Sequence, residues 1–132
     1  MAHTVDVLGG EIMTMDDTAT LYRYRETDGG YDRFFIPACY WMETRGASVA
    51  TGAVRAGETA TIYIPEAYAK RVVPQRDLFV RGNCPFVFDN SSPVMISASL
   101  TALSEAYGVV TAVEVIDRLH GHALRHIEVH AK

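Results

Sequence analysis

Residues 58–65 read ETATIYIP, and their pattern decides the fold class. Ala60, Ile62 and Ile64 fall on one side of an extended chain and Thr59, Thr61 and Tyr63 on the other, the two-residue alternation of a strand with one face in a core. Toward the N-terminus, TATLYRYRE (18–26) mixes β-branched and aromatic residues, TDGG (27–30) is a turn signal, and YDRFFIPACYWMET (31–44) returns as a second strand. Pro37 has no N–H for a ladder, which confines that strand to an edge or a bulge. Residues 1–17 hold one short apolar group before a glycine pair and show no helical period, so they are expected to form an arm.

Toward the C-terminus, PEAYAKRVVPQR (65–76) breaks the alternation with a proline near each end and reads as a loop or single turn. DLFVRGN (77–83) is a short strand, and CPFVFDNSSP (84–93) an irregular connection. SASLTALSEAYG (97–108) carries a helix of about two turns, with Ser97 or Ser99 as N-cap, Leu100, Leu103 and Tyr107 at helical spacing, and Gly108 past its end. VVTAVEVIDRLHGHALRHIEVHA (109–131) is two extended runs joined through Gly121, hence a hairpin. About six or seven strands and one short helix predict a mainly β fold, a small barrel or sandwich with long loops, over residues 18–132.

Composition bounds the function. A chain of 132 residues supports one domain, and 48% hydrophobic with 21% charged residues is an ordinary globular balance. No apolar run approaches the ~20 residues that span a bilayer, and the first residues carry acids where an export signal needs a basic start. A net charge of -4 argues against tight nucleic-acid binding, which depends on clustered Lys and Arg neutralising phosphates. Cys39 and Cys84 stand 45 positions apart with no CxxC, which suits reduced thiols.

The tail RLHGHALRHIEVHAK (118–132) raises the question of a metal site. On a strand, Ile127, Val129 and Ala131 point inward and His126, Glu128 and His130 form an exposed row opposite. At the rise of an extended chain His126 and His130 stand about 13 Å apart, too far for both to bind one ion directly. His120 and His122 could approach one another in the turn, but neither CxxC nor HExxH accompanies them. The histidines therefore read as structural or interfacial. No GxSxG, GxGxxG or P-loop is present, the acids fall at turns, and the serines near the helix start are explained by capping. The aromatic run FFIPACYW (34–41) reads as core, or as a docking patch.

The order of these segments resembles a family of small proteins encoded in the head and tail region of tailed bacteriophages and prophages. The resemblance covers residues 18–132 and rests on Leu21 and Tyr22 in a Tyr-rich first strand, Trp41 in an aromatic second strand, and Ile64–Pro65 ending a middle strand. Val80 to Gly82, Leu100 and Leu103 on the helix, and the hairpin from Val110 to Val129 complete it. The turn RLHGHALRH departs from the more polar turn of that family.

The resemblance implies a structural virion protein rather than an enzyme: a head-completion or stopper protein of the head-to-tail connector, with a tail terminator or other tail-tube component as the alternative. It implies a homo-oligomeric ring, a hexamer, around the DNA channel, assembled in the host cytoplasm between an adaptor ring and a tail terminator ring, with no catalytic residue, metal, cofactor or membrane. Within that reading Tyr68, Val72, Val73, Phe86 and Phe88 are too apolar for free loops and are expected to pack on a neighbouring subunit. His126, Glu128 and His130 are expected to dock on an adjacent ring. Asp28, Asp32, Glu66 and Asp89 are the expected channel lining, keeping contact with packaged DNA weak and non-specific.

Overall fold

A computed structural model describes residues 3–7, 11–45, 58–69, 72, 75–118 and 126–132. The expected strands form β3 (Asp17–Tyr24), β4 (Tyr31–Arg45), β5 (Glu58–Pro65), β6 (Leu78–Arg81), β7 (Val109–Arg118) and β8 (His126–Ala131). They close into an antiparallel barrel in the order β3-β4-β5-β8-β7-β6, with β6 returning to β3. The arm contains a two-stranded sheet of its own, β1 (His3–Val7) with β2 (Glu11–Met15), and Met15 is buried.

Facing strands stack their apolar side chains in rows inside the barrel. Trp41 pairs with Ile62, Ile62 with Val129, and Val129 with Val115. On the other side Phe34 pairs with Leu21, Leu21 with Phe79, and Phe79 with Val110. Ala60, Ile62 and Ile64 are buried as the alternation predicts, and Ile127, Val129 and Ala131 likewise. Pro37 sits at the bulge where β4 gains a residue, since Asp17 faces Cys39 while Ala19 faces Ile36. There the missing N–H loses nothing, and β4 bends from β3 to β5.

A second core lies outside the barrel. In β3 four consecutive residues, Ala19 to Tyr22, are fully buried, and in β6 Leu78, Phe79 and Val80 are all buried, so these strands are covered on both faces. Tyr22, Leu78 and Val80 point outward and meet Cys84, Phe88 and Leu103. The cover is the 84–92 connection and helix α1 (Pro93–Ala106).

The helix is longer than the sequence reading had it. It starts at Pro93, and its N-cap is Ser92, whose side chain accepts the Met95 N–H at 3.2 Å. Neither Ser97 nor Ser99 caps it. Pro93 occupies the first helical position, where a missing N–H costs nothing and the ring presets the backbone. Ser99 is buried in mid-helix and accepts the Asp89 N–H at 3.0 Å, tying the connection to the helix that it precedes.

Side chains secure the connection to the barrel where strands run out of partners. Asn90 imitates a neighbouring strand, accepting the Tyr31 N–H and donating to the Tyr31 carbonyl, both at 3.1 Å. Thr20 donates to the Gly82 carbonyl at 2.7 Å and accepts the Cys84 N–H at 2.8 Å. Gly30 lies so close to Asn90 that a Cβ there would overlap the amide. Gly30→Ala should therefore destabilise the fold by about 1–3 kcal/mol, read from thermal unfolding. In a double-mutant cycle with Asn90→Ala the combined loss should fall short of the sum, because both changes strike the same contact.

Cys39 is buried in the barrel and free. Burial pushes its thiol from 9.0 up to about 12, with the Asp17 carboxylate adding to the rise and Arg81 opposing it. The folded chain holds this proton more tightly than the unfolded chain does. The resulting stability is whole below pH 9.0 and is lost as the pH rises toward about 12. Cys39→Ala should flatten that part of the alkaline unfolding curve relative to the unsubstituted chain.

Candidate functional site

The helix covers only one side of the barrel. Among the described residues no helix lies over the outer face of β5, β8, the end of β4 and the middle of β7, which makes it the candidate interaction face. Alternation places Tyr40 and Met42 of β4, Thr61 and Tyr63 of β5, Glu128 and His130 of β8, and Glu114 of β7 on it. Tyr40 faces Tyr63 with ring centroids 5.9 Å apart, and Tyr63 meets the His126 ring at the same distance. Met42 is 40% exposed.

The C-terminal histidines are not the uniform exposed row that alternation predicts. His126 is only 6% exposed and packs against Tyr63. Its cross-strand partners are Pro65 at the end of β5 and Arg118 at the end of β7. His130 remains at the surface, and its Nε2 lies 2.8 Å from a Glu128 carboxylate oxygen. The row is thus one buried aromatic contact followed by one surface pair. Among the described residues no group of three His, Cys, Asp or Glu is placed to hold a metal ion. His120 and His122 lie outside the described residues.

The apolar loop residues are placed differently from the expectation. Val72 is buried in the barrel core and Tyr68 packs against that core from a single turn of 3-10 helix, Glu66–Tyr68. Phe88 is buried in the second core, and Phe86 leans on it edge-on at 5.7 Å while its carbonyl accepts the Tyr22 hydroxyl at 2.7 Å. These four side chains are occupied within their own chain, so their apolarity needs no neighbouring subunit. Val73 lies outside the described residues.

The four acids are exposed. Asp28 and Asp32 flank Arg25 at 2.9 Å and 3.4 Å, which offsets their charge at the β3–β4 turn. Asp89 closes a local turn by accepting the Ser91 N–H at 3.0 Å, and these Ser91 contacts hold its carboxyl below the usual range. Glu66 belongs to the turn after β5. Sequence reading passed over Gln75, Arg76 and Tyr31, which the fold brings together beside α1. No periodicity marks them, since they come from a loop and a strand start.

The fold and this face define a closed antiparallel β-barrel braced by one external helix and presenting a polar and aromatic outer sheet. Its sequence from residue 13 to residue 132 matches the model of a family of unknown function (DUF6751), and the chain belongs to that family. No curated protein and no solved structure matches the chain. The family match takes in all six barrel strands and begins within β2, inside the stretch read as an arm.

The two C-terminal histidines should separate in a stability assay. His130→Ala, at the surface, should change the unfolding free energy by no more than about 0.5 kcal/mol, whereas His126→Ala should lower it by about 1–3 kcal/mol through lost packing on Tyr63. Equal losses would contradict the burial difference between them.

Proposed function

We propose that this chain is a structural subunit of a tailed-phage head-to-tail connector, a stopper or head-completion protein that forms a homo-oligomeric ring around the DNA channel. The observation that carries the reading is the closed barrel with one outer face that no helix among the described residues covers. A closed barrel has no free strand edge, so it assembles through side-chain faces rather than by adding strands. The bare face offers Tyr40, Met42 and Tyr63, and tyrosine and methionine are enriched where proteins meet. The order of segments over residues 18–132 and the acidic net charge of -4, which suits a channel that DNA must slide through without adhering, support the same reading.

The role is tested in the phage or prophage that encodes the chain. Deleting the gene should leave filled heads that lose DNA and carry no tails, whereas a tail terminator's loss would leave tails of uncontrolled length on intact heads. Met42→Glu, on the same face and 40% exposed, should give the deletion phenotype from a chain whose melting temperature stays near that of the original. Normal tailed particles from the deletion would overturn the proposal.

A further inference from the structure

A cleft of about 390 Å³ opens between α1 and strands β6 and β7, away from the bare outer face. Its volume lies at the small end of the range for small-ligand sites. Leu78, Leu100 and Val109 supply apolar wall, and Tyr31, Ser104 and Thr111 bring hydroxyls to it. Among the described residues Arg76 is the one cation that lines it.

The guanidinium of Arg76 is held in position without being consumed. Its Cζ sits 4.6 Å from the centroid of the Tyr24 ring, a stacking contact that uses the planar face and leaves the N–H edges free to donate. Among the described residues no carboxylate forms an ion pair with it. The backbone that presents it is unusual. Gln75 adopts a left-handed conformation, φ 69°, and its N–H is pinned to the Ala112 carbonyl at 2.6 Å. A non-glycine residue in this region is strained, and such strain persists where the surroundings enforce it. The Tyr31 ring is fixed as well, between Tyr24 at 5.6 Å and Phe88 at 4.7 Å. Burial first, then the neighbouring Tyr24 and Asp77, raise its pKa above the ordinary tyrosine value, so the phenol stays a donor.

We infer that this cleft binds a carboxylate joined to a short apolar or aromatic group, with Arg76 taking the carboxylate and the leucines the apolar part. Asp77, the next residue, is fully buried, accepts the Tyr24 N–H at 2.8 Å and does not line the cleft. One guanidinium matches one carboxylate in a two-pronged fork. A monoanion is therefore favoured over a phosphate monoester. The ligand is either a free small acid or an acidic side chain presented by another protein, and the two share this chemistry.

Titration of the isotopically labelled chain, followed by amide resonances, tests the assignment. Phenylacetate should shift Arg76, Leu78 and Thr111 saturably. Its neutral counterpart phenylacetamide should bind at least about tenfold more weakly, as expected when a charge-assisted hydrogen bond is lost. Phenyl phosphate should bind no better than phenylacetate. Arg76→Gln should abolish the difference between acid and amide, and Ser104→Phe, an exposed helix position that would fill the cleft, should block both. If Arg76→Gln lowers the melting temperature, the Ser104→Phe result decides. A blocked Phe-Glu dipeptide binding about tenfold tighter than phenylacetate would assign the site to a protein segment, and the reverse order to a free acid. Shifts that do not saturate, that are equal for acid and amide, or that survive Ser104→Phe would overturn the inference.

Discussion

Closing the barrel through β3 and β6 is the constraint on which the rest depends. Once β6 pairs with β3, both strands are apolar on their outer as well as their inner faces, and Tyr22, Leu78 and Val80 would stand in water without a cover. Burying such side chains contributes about 1.5–3 kcal/mol each, enough to recruit the connection and α1 to that side. The helix is therefore a consequence of the barrel. Leu103 and Phe88 meet the outer row, and among the described residues no helix lies over the opposite outer face of β5 and β8.

Polar side chains make that arrangement specific. Thr20, Asn90 and Asp77 each bond to backbone groups that β-ladders leave over, at the turn after β6, the start of β4 and the end of β3. Asp17 works the same way at the bulge, accepting the Trp41 N–H at 2.9 Å and pairing with Arg81 at 3.2 Å. Buried donors and acceptors left unmet are expensive, so these few residues set where the connection can lie. The same bracing fixes Tyr31 and, through Gln75, aims Arg76. The cleft beside α1 is a by-product of covering the barrel, and it is lined by groups that the cover holds still.

The two surfaces serve different kinds of recognition. The outer face of β5 and β8 is broad, mixed in polarity and centred on tyrosines, which suits a neighbouring protein surface. The cleft is small and sets the Arg76 cation beside apolar and hydroxyl groups, which suits a single anionic group. A chain of net charge -4 can carry both, since neither depends on net charge.

What the sequence determined by itself is the class of fold and the faces of its regular strands. ETATIYIP and HIEVHA show their buried sides by alternation, and Pro37 announced an edge or a bulge because it cannot donate, the structure deciding for the bulge. The start of α1 was also written there, as Ser92–Pro93, but a proline inside a loop-like run reads as a breaker unless the cap is noticed. Tertiary structure alone decided the rest. β3 and β6 have no alternation to read because both faces are buried, so the second core is invisible in the sequence and its aromatics, Phe86 and Phe88, look like exposed loop residues seeking a partner. His126 and His130 have the same parity, yet one is buried and the other is not, because burial depends on what the closed barrel brings beside each position. Arg76, Tyr31 and Ser104 come from three segments far apart in the chain, and only the packing of α1 on the barrel puts them around one cleft.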